Sequence, residues 1–377
     1  MYRRRHGCCR IVRGALTLGP EGNQVFETVK AAGVIVALVI GAAFATGQEA
    51  LQFFVAEGFR GIVAIAITFA IGIHMSITLF VSGYRHGFRN HEEFYVHYAG
   101  RIVGEGFSWY STLVMFCIYL VMLSGAGTVL NEATGLPIPA GAAIMAAVAL
   151  MTLYFGLDEL VAIVGTLGPL LVLLILGIAG YTLFSGLDGL TAGHQYAVTT
   201  QMTSASDHWW LSGALYMSLQ VVGLASFLPA VGATLKSEKQ GIIAGCLGPS
   251  LLCLALVVVV LALLSYLPVL ADKPIPMLVL AANISESLAG AYAYVIVAGI
   301  YTTCAPCLWI SISRFARLED GTRYKVLLFL FSGVGYGIAM LLPFGELVNL
   351  IYPTIGYAGL LLIGIVVFNQ MRDRSIA

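Results

Sequence analysis

The residues best placed for chemistry form one short run, Gly41-Ala-Ala-Phe-Ala-Thr-Gly-Gln-Glu49, inside the first apolar stretch of the chain. Two glycines, a threonine, a glutamine and a carboxylate interrupt what would otherwise be a plain apolar helix, and the apolar Leu51-Gln-Phe-Phe-Val55 follows at once. In hydrocarbon an unpaired backbone amide or a charge is costly, so such an interruption survives only where it lines a cavity or meets a ligand. A helix broken near the bilayer midplane offers free carbonyls to a cation and free N–H groups to a carboxylate. The chemistry expected here is recognition of a small solute, with no bond made or broken.

Glu49 is the sharpest residue of the run. An acid in a membrane helix can carry a proton or balance an amino group on a solute, and it can also simply bond a neighbouring helix backbone. Gln48, Gln220 and Ser218 would supply neutral hydrogen bonds, and Tyr119 could close over the solute or pack in the bundle. His74 reads as a proton relay or a packing histidine, and Asp158-Glu159 reads as a helix cap. Cys304-Ala-Pro-Cys307 has redox-pair spacing but stands alone in an apolar helix, which favours packing and a proline kink. There is no Gly-x-x-x-x-Gly-Lys phosphate loop and no Ser/His/Asp set at membrane depth, which argues against a primary pump and an enzyme.

The elements that must position these residues are membrane helices. With 59% hydrophobic residues, 10% charged and a mean hydropathy of +0.92, the 377-residue chain is too apolar for a water-soluble protein. Its net charge is zero, without a basic patch for nucleic acid, and its seven cysteines read as free thiols. Spans are expected at 28–56, 60–83, 102–128, 137–155, 159–185, 209–234, 240–268, 288–315, 324–343 and 347–370. With both termini cytoplasmic, every Lys and Arg but Arg60 and Lys273 falls on the inside, which requires an even number of spans. The reading is therefore an all-α integral membrane protein of ten helices in a plasma membrane, with a basic tail at 1–25 and a short one at 373–377.

Two outer loops are long: Gly186 to His208, ending at the interfacial pair Trp209-Trp210, and 267–288, where a helix started by proline would lie over the external mouth. The sixth span carries Ser218, Gln220, Gly223, Ser226 and Pro229 mid-span and is expected to be broken like the first. The two interruptions lie five spans apart, each in the first span of a five-span half, so halves at 28–185 and 209–370 would insert as an inverted repeat. Paired broken helices in inverted halves point to a secondary transporter with its site at the repeat interface.

The run Gly41 to Phe54 resembles the signature of the YkvI-like uncharacterised membrane proteins, and the 5+5 topology resembles the amino acid-polyamine-organocation superfamily with its leucine-transporter (LeuT) fold. The resemblance covers 25–372 and implies fold and site geometry, not a substrate. It aligns Gly47-Gln48 with a Gly-Asn pair beside the solute, and Ala45, Thr46, Gly47, Gln48 and Glu49 with Tyr119, Ser218, Gln220 and Gly223 are read as the solute-binding residues. It aligns Gly41 and Phe44 with positions whose carbonyls bind Na⁺, completed by the hydroxyls of Thr302 and Thr303 in Ala298-Gly-Ile-Tyr-Thr-Thr303. Gln48 replaces a usual Asn, which puts a second sodium site in doubt. Oxygen ligands at broken helix ends suit a hard cation, while back-bonding within the helix is the plainer role for the threonines.

What these readings imply is transport of an amino acid or a related amine or carboxylate, driven by Na⁺ or H⁺ without other cofactors. The alternative is a receptor of the same fold that binds solute without moving it.

Overall fold

A chain in hydrocarbon must satisfy its backbone internally, and apolar runs of this length can do so only as helices. The computed structural model describes residues 20–88, 91–155, 158–200, 202–316 and 321–376, and the arginine-rich stretch with Cys8 and Cys9 lies outside them. Among the described residues there are helices and no strands.

The first span is three pieces, α1 (Pro20–Val39), α2 (Ala42–Thr46) and α3 (Gln48–Phe53), so the helix begins within the stretch expected to be a tail. Then come α4 (Phe59–His86), α5 (His91–Thr134, bent at Gly100), α6 (Ile138–Phe155), α7 (Asp158–Ser185) and α8 (Leu190–Thr200). The second half holds α9 (Trp209–Gly232), α10 (Glu238–Ser265), α11 (Leu267–Leu270), α12 (Pro276–Ile284), α13 (Glu286–Ser313), α14 (Thr322–Ala339) and α15 (Phe344–Ile376). Each stretch expected to span is helical. Among the described residues, six helices are long and apolar enough to cross by length and composition, namely α4, α5, α9, α10, α13 and α15. The pair 170–185 and 187–200, bent by 76°, makes a seventh if it counts as one span.

The sixth span corrects the sequence expectation, because α9 runs unbroken from Trp209 to Gly232. Its polar residues are absorbed by the helix itself: Ser218 Oγ donates to the Ala214 carbonyl at 2.6 Å and Ser226 Oγ to Val222 at 3.4 Å. Pro229 stands in the last turn, where a missing N–H does little to the rod. Back-bonding to the i−4 carbonyl recurs at Thr68, Thr112, Thr128 and Ser311, and explains how hydroxyls are tolerated throughout the bundle.

The core is built on close backbone contacts at glycine. A Cβ on Gly213, Gly232 or Gly83 would collide with the carbonyl of Ala64, Phe80 or Pro229, so α4 and α9 touch main chain to main chain. Gly356 and Gly359 bring α15 as close to Leu215 and Ser218 of α9. Main chain thus meets main chain between α9 and both α4 and α15, and α10 lies on α4 in a similar way through Gly245, where a Cβ would meet the backbone of Ile77.

The two long connections expected on the outside are also helical. The loop expected at Gly186 to His208 forms α8, held where His194 Nδ1 accepts from the Phe59 N–H at 3.3 Å and stacks on the Phe59 ring. The second contains α12, begun by Pro276 as expected. Cys117, Cys246, Cys253, Cys304 and Cys307 are free thiols, and Cys304 and Cys307 are buried in α13.

Candidate functional site

The break in the first span is real and has two joints. Ile40 and Gly41 leave helical geometry, and Gly47 takes the left-handed region at φ 83° between α2 and α3. Only glycine adopts that conformation without strain. A side chain there would also press on Met277 of α12, whose Cγ and backbone N would lie 2.8 and 3.3 Å from a Cβ.

The backbone groups freed at the break are taken up within the protein. The Gly41 carbonyl accepts from the Ala45 N–H, and the Phe44 carbonyl from the Gly47 N–H, each at 3.0 Å. Thr46 Oγ1 donates to the Ala43 carbonyl at 2.7 Å and accepts from the Gln48 N–H at 3.2 Å, so its hydroxyl links the two short helices. The Ala45 carbonyl accepts from the buried Tyr292 hydroxyl of α13 at 2.6 Å. That bond was not legible from the sequence, since nothing local links the two residues.

The side chains of α3 are a different case. Gln48, Glu49 and Gln52 are all buried, at 9%, 5% and 2% exposure. Gln48 Oε1, Glu49 Oε2 and both amide atoms of Gln52 complete no hydrogen bond. Around them stand Tyr216 of α9 and Tyr352 of α15, both within electrostatic reach of Glu49, and Gly345 of α15 beside the Gln48 amide. Tyr216 is buried under Phe53 and Phe54, and its hydroxyl, though near Gln220, makes no hydrogen bond of acceptable geometry. Buried polar atoms in native proteins are nearly all paired, so a cluster of this kind calls for a ligand or water. None of the ion pairs among the described residues includes Glu49, and a buried carboxyl group is tolerated either protonated or with a countercharge. Gln52 lay one helical turn beyond Gln48 in the sequence, and that spacing was the signal that could have found it.

The other expected residues divide. Thr303 Oγ1 lies 3.7 Å from where a Cβ on Gly41 would stand, so α13 and the first joint are neighbours as the ion-site reading requires. Both threonines bond the Gly299 carbonyl, Thr302 firmly at 2.7 Å and Thr303 loosely at 3.4 Å. Ser218 is spent on its own helix, and Gly223 faces open space. Tyr119 is directed elsewhere: its hydroxyl pairs with Ser332 of α14 at 3.2 Å, and its ring packs on Gly335. His74 lies outside the cluster, lining a cavity of about 500 Å³ with Arg85, His86, His97 and Glu238.

No protein-family model matches the chain. The uncharacterised membrane protein YkvI of Bacillus subtilis (strain 168) is 23% identical over 350 residues, covering 91% of this chain and 96% of that one. Among solved structures, an inward-facing conformation of Mhp1 overlays with a TM-score of 0.60 at 15% identity, over 90% of this chain and 75% of that one. The fold is of the LeuT type. A second structure of that type, the Eremococcus coleocola manganese transporter in complex with an aromatic bis-isothiourea substituted compound, gives a TM-score of 0.52 at 13% identity over 93% and 79% of the two chains. In LeuT-type terms, the residues of α1, α2 and α3 form the broken first helix, and the expected similarity to YkvI extends over nearly the whole length of both proteins.

Proposed function

We propose that this chain is a ten-span secondary transporter that moves a small amine-bearing solute, such as an amino acid, by alternating access. The observation that carries the reading is the buried, unpartnered set on α3: three acceptor oxygens from Gln48, Glu49 and Gln52, beside a hinge formed by Gly47. Acceptors outnumber donors there, and none of the ion pairs among the described residues includes Glu49, so an N–H-rich cation complements the cluster better than a carboxylate does. The half-helix α3 has six residues, and its first amide is already capped by Thr46, which weakens the case for a solute carboxylate at its start.

Two groups are placed to carry the coupling ion. Na⁺ would take oxygens from Gly41 and Thr303, whose weak bond to Gly299 costs little to give up, and H⁺ would ride on Glu49. The tight cover of Met277 over Gly47 supports a solute held closed on the α12 side, with the Gly47 joint allowing α3 to swing. α6 and α14, at 18 residues each, are about 27 Å long and count as spans in this reading. The LeuT-type neighbours are transporters, which supports transport rather than catalysis.

The test is a thermal-stability screen of the purified protein against amino acids, their amine-only and N-acylated analogues, in Na⁺ and in choline at several pH values, followed by uptake into proteoliposomes. A ligand bound to the folded state raises its apparent stability by mass action. Free amines should shift the melting temperature and N-acylated analogues should not. A shift from carboxylates lacking an amine would refute the assignment of solute class, and binding without uptake would leave a receptor.

A further inference from the structure

We propose that Met115 of α5 with Cys304 and Cys307 of α13 forms a binding site for a soft monovalent metal ion of the Cu(I) kind, separate from the solute site. In the sequence the pair in Cys304-Ala-Pro-Cys307 has no further ligand beside it. The fold supplies one from 192 residues earlier in the chain, where Cys307 Sγ donates to Met115 Sδ at 3.9 Å.

Residues three apart on a helix share a face, so the two thiols look toward the same neighbour. Helices α5 and α13 run past each other in opposite directions: Met115 meets Cys307 and, one turn along each helix, Tyr119 is within electrostatic reach of Cys304. Cys304 therefore lies on the same seam as the Cys307–Met115 contact. Pro306 removes the N–H that would close the turn at Thr302, which loosens the stretch carrying both thiols. Sulfurs about 2.3 Å from one ion in a trigonal plane stand about 4.0 Å apart. The 3.9 Å between Cys307 and Met115 is already a spacing between two ligands.

The donor set is all sulfur. Thiolate and thioether ligands select a soft ion, hard cations favour oxygen, and Zn²⁺ takes four ligands where three are offered. Among the described residues no group of three or more His, Cys, Asp and Glu is placed to hold a metal, so no imidazole or carboxylate completes the pair for a harder ion. Cys304 is fully buried and Cys307 is 5% exposed, so charge must balance within the site. Binding through one thiolate releases one thiol proton to water and leaves a monovalent ion neutral, whereas a divalent ion would need both thiols ionised in hydrocarbon. Tyr352 of α15 is within electrostatic reach of both Glu49 and Cys307, so the sulfur site and the solute cluster are neighbours.

The experiment is an anaerobic titration of the full-length protein in detergent with Cu(I) delivered from a competing chelator, and with Zn²⁺ as the harder ion. Cys8→Ser and Cys9→Ser are introduced throughout, so that those adjacent thiols do not compete. One Cu(I) per chain should be retained and should raise the melting temperature, and its apparent affinity should rise about tenfold per pH unit as one proton leaves. Met115→Leu keeps the packing volume and removes the third sulfur, and should weaken Cu(I) binding about tenfold. Cys304→Ala and Cys307→Ala should each abolish it, and Cys253→Ala, at a buried thiol of α10, should leave it unchanged. Absence of Cu(I) from the chain with all three sulfurs intact overturns the proposal, as does undiminished binding in Met115→Leu. Retention of Zn²⁺ in preference to Cu(I) overturns it as well.

Discussion

Gly47→Ala isolates the joint on which the solute site turns, and its cost can be worked out in two parts. The left-handed backbone at φ 83° costs an alanine about 1–2 kcal/mol wherever that conformation is kept. A Cβ 2.8 Å from Met277 Cγ forces that side chain toward an unfavourable rotamer, about 0.5–1.5 kcal/mol, while the Met277 N at 3.3 Å needs a shift of only tenths of an ångström. The total is about 2–3 kcal/mol of stability, of which roughly 1 kcal/mol falls on the docking of α12 alone. The first part should appear as a lowered melting temperature. The second should appear in hydrogen exchange as amides of α12 that exchange about fivefold faster than in the parent protein. If Gly47→Ala changes neither the melting temperature nor α12 exchange, the left-handed joint and its contact are not what holds α12 against the break.

Four further outcomes are expected. Glu49→Gln should leave the melting temperature equal or higher, by removing a buried acid without a countercharge, while weakening amine binding at least about tenfold in the stability screen; unchanged affinity would exclude Glu49 from the solute site. Thr303→Ala should reduce any sodium dependence of solute binding, whereas Thr302→Ala should not, given the firm 2.7 Å bond of Thr302 to Gly299; equal effects of the two would remove the proposed ion site. Tyr292→Phe should cost about 1–2 kcal/mol by leaving the Ala45 carbonyl unpaired, read by chemical denaturation in detergent. Glu57, in the turn after α3, has its carboxyl held above the ordinary value of 4.5 by burial, against the opposing pull of the Ser204 hydroxyl and Arg60. The folded state then holds this proton more tightly than the unfolded chain does, so its contribution to stability falls as pH rises through and above 4.5. Glu57→Gln should flatten that part of the stability profile, and an unchanged slope would show that another group titrates there.

The broken first span was legible because Gln48 and Glu49 are expensive in hydrocarbon and cannot be hidden by simple back-bonding, and because Gly41 and Gly47 stand beside them. The same logic misread the sixth span. Ser218 and Ser226 each reach a carbonyl of their own helix, Gly223 remains helical, and Pro229 falls in a last turn, so small polar residues there cost little and break nothing. The loop after α7 looked too polar for structure, yet Leu190–Thr200 is helical because His194 fastens it to the start of α4, a contact 135 residues distant in the chain. Tyr119 and Tyr292 show the same limit among the residues considered for the site. Both are tyrosines in apolar helices, and only tertiary placement sends one to Ser332 and the other to the Ala45 carbonyl.

The glycine contacts that join α9 to α4 and α15 have a mechanical consequence. Where main chains touch, there is no layer of side chains to compress or re-pack, so the three helices form a stiff slab with almost no play between its members. Tyr216 and Tyr352 belong to that slab, and Glu49 belongs to the jointed piece beside it. In the proposed function, a solute gripped by α3 would be held between a swinging leaf and a fixed jamb. The gap between Glu49 and the two tyrosines becomes the width of the door.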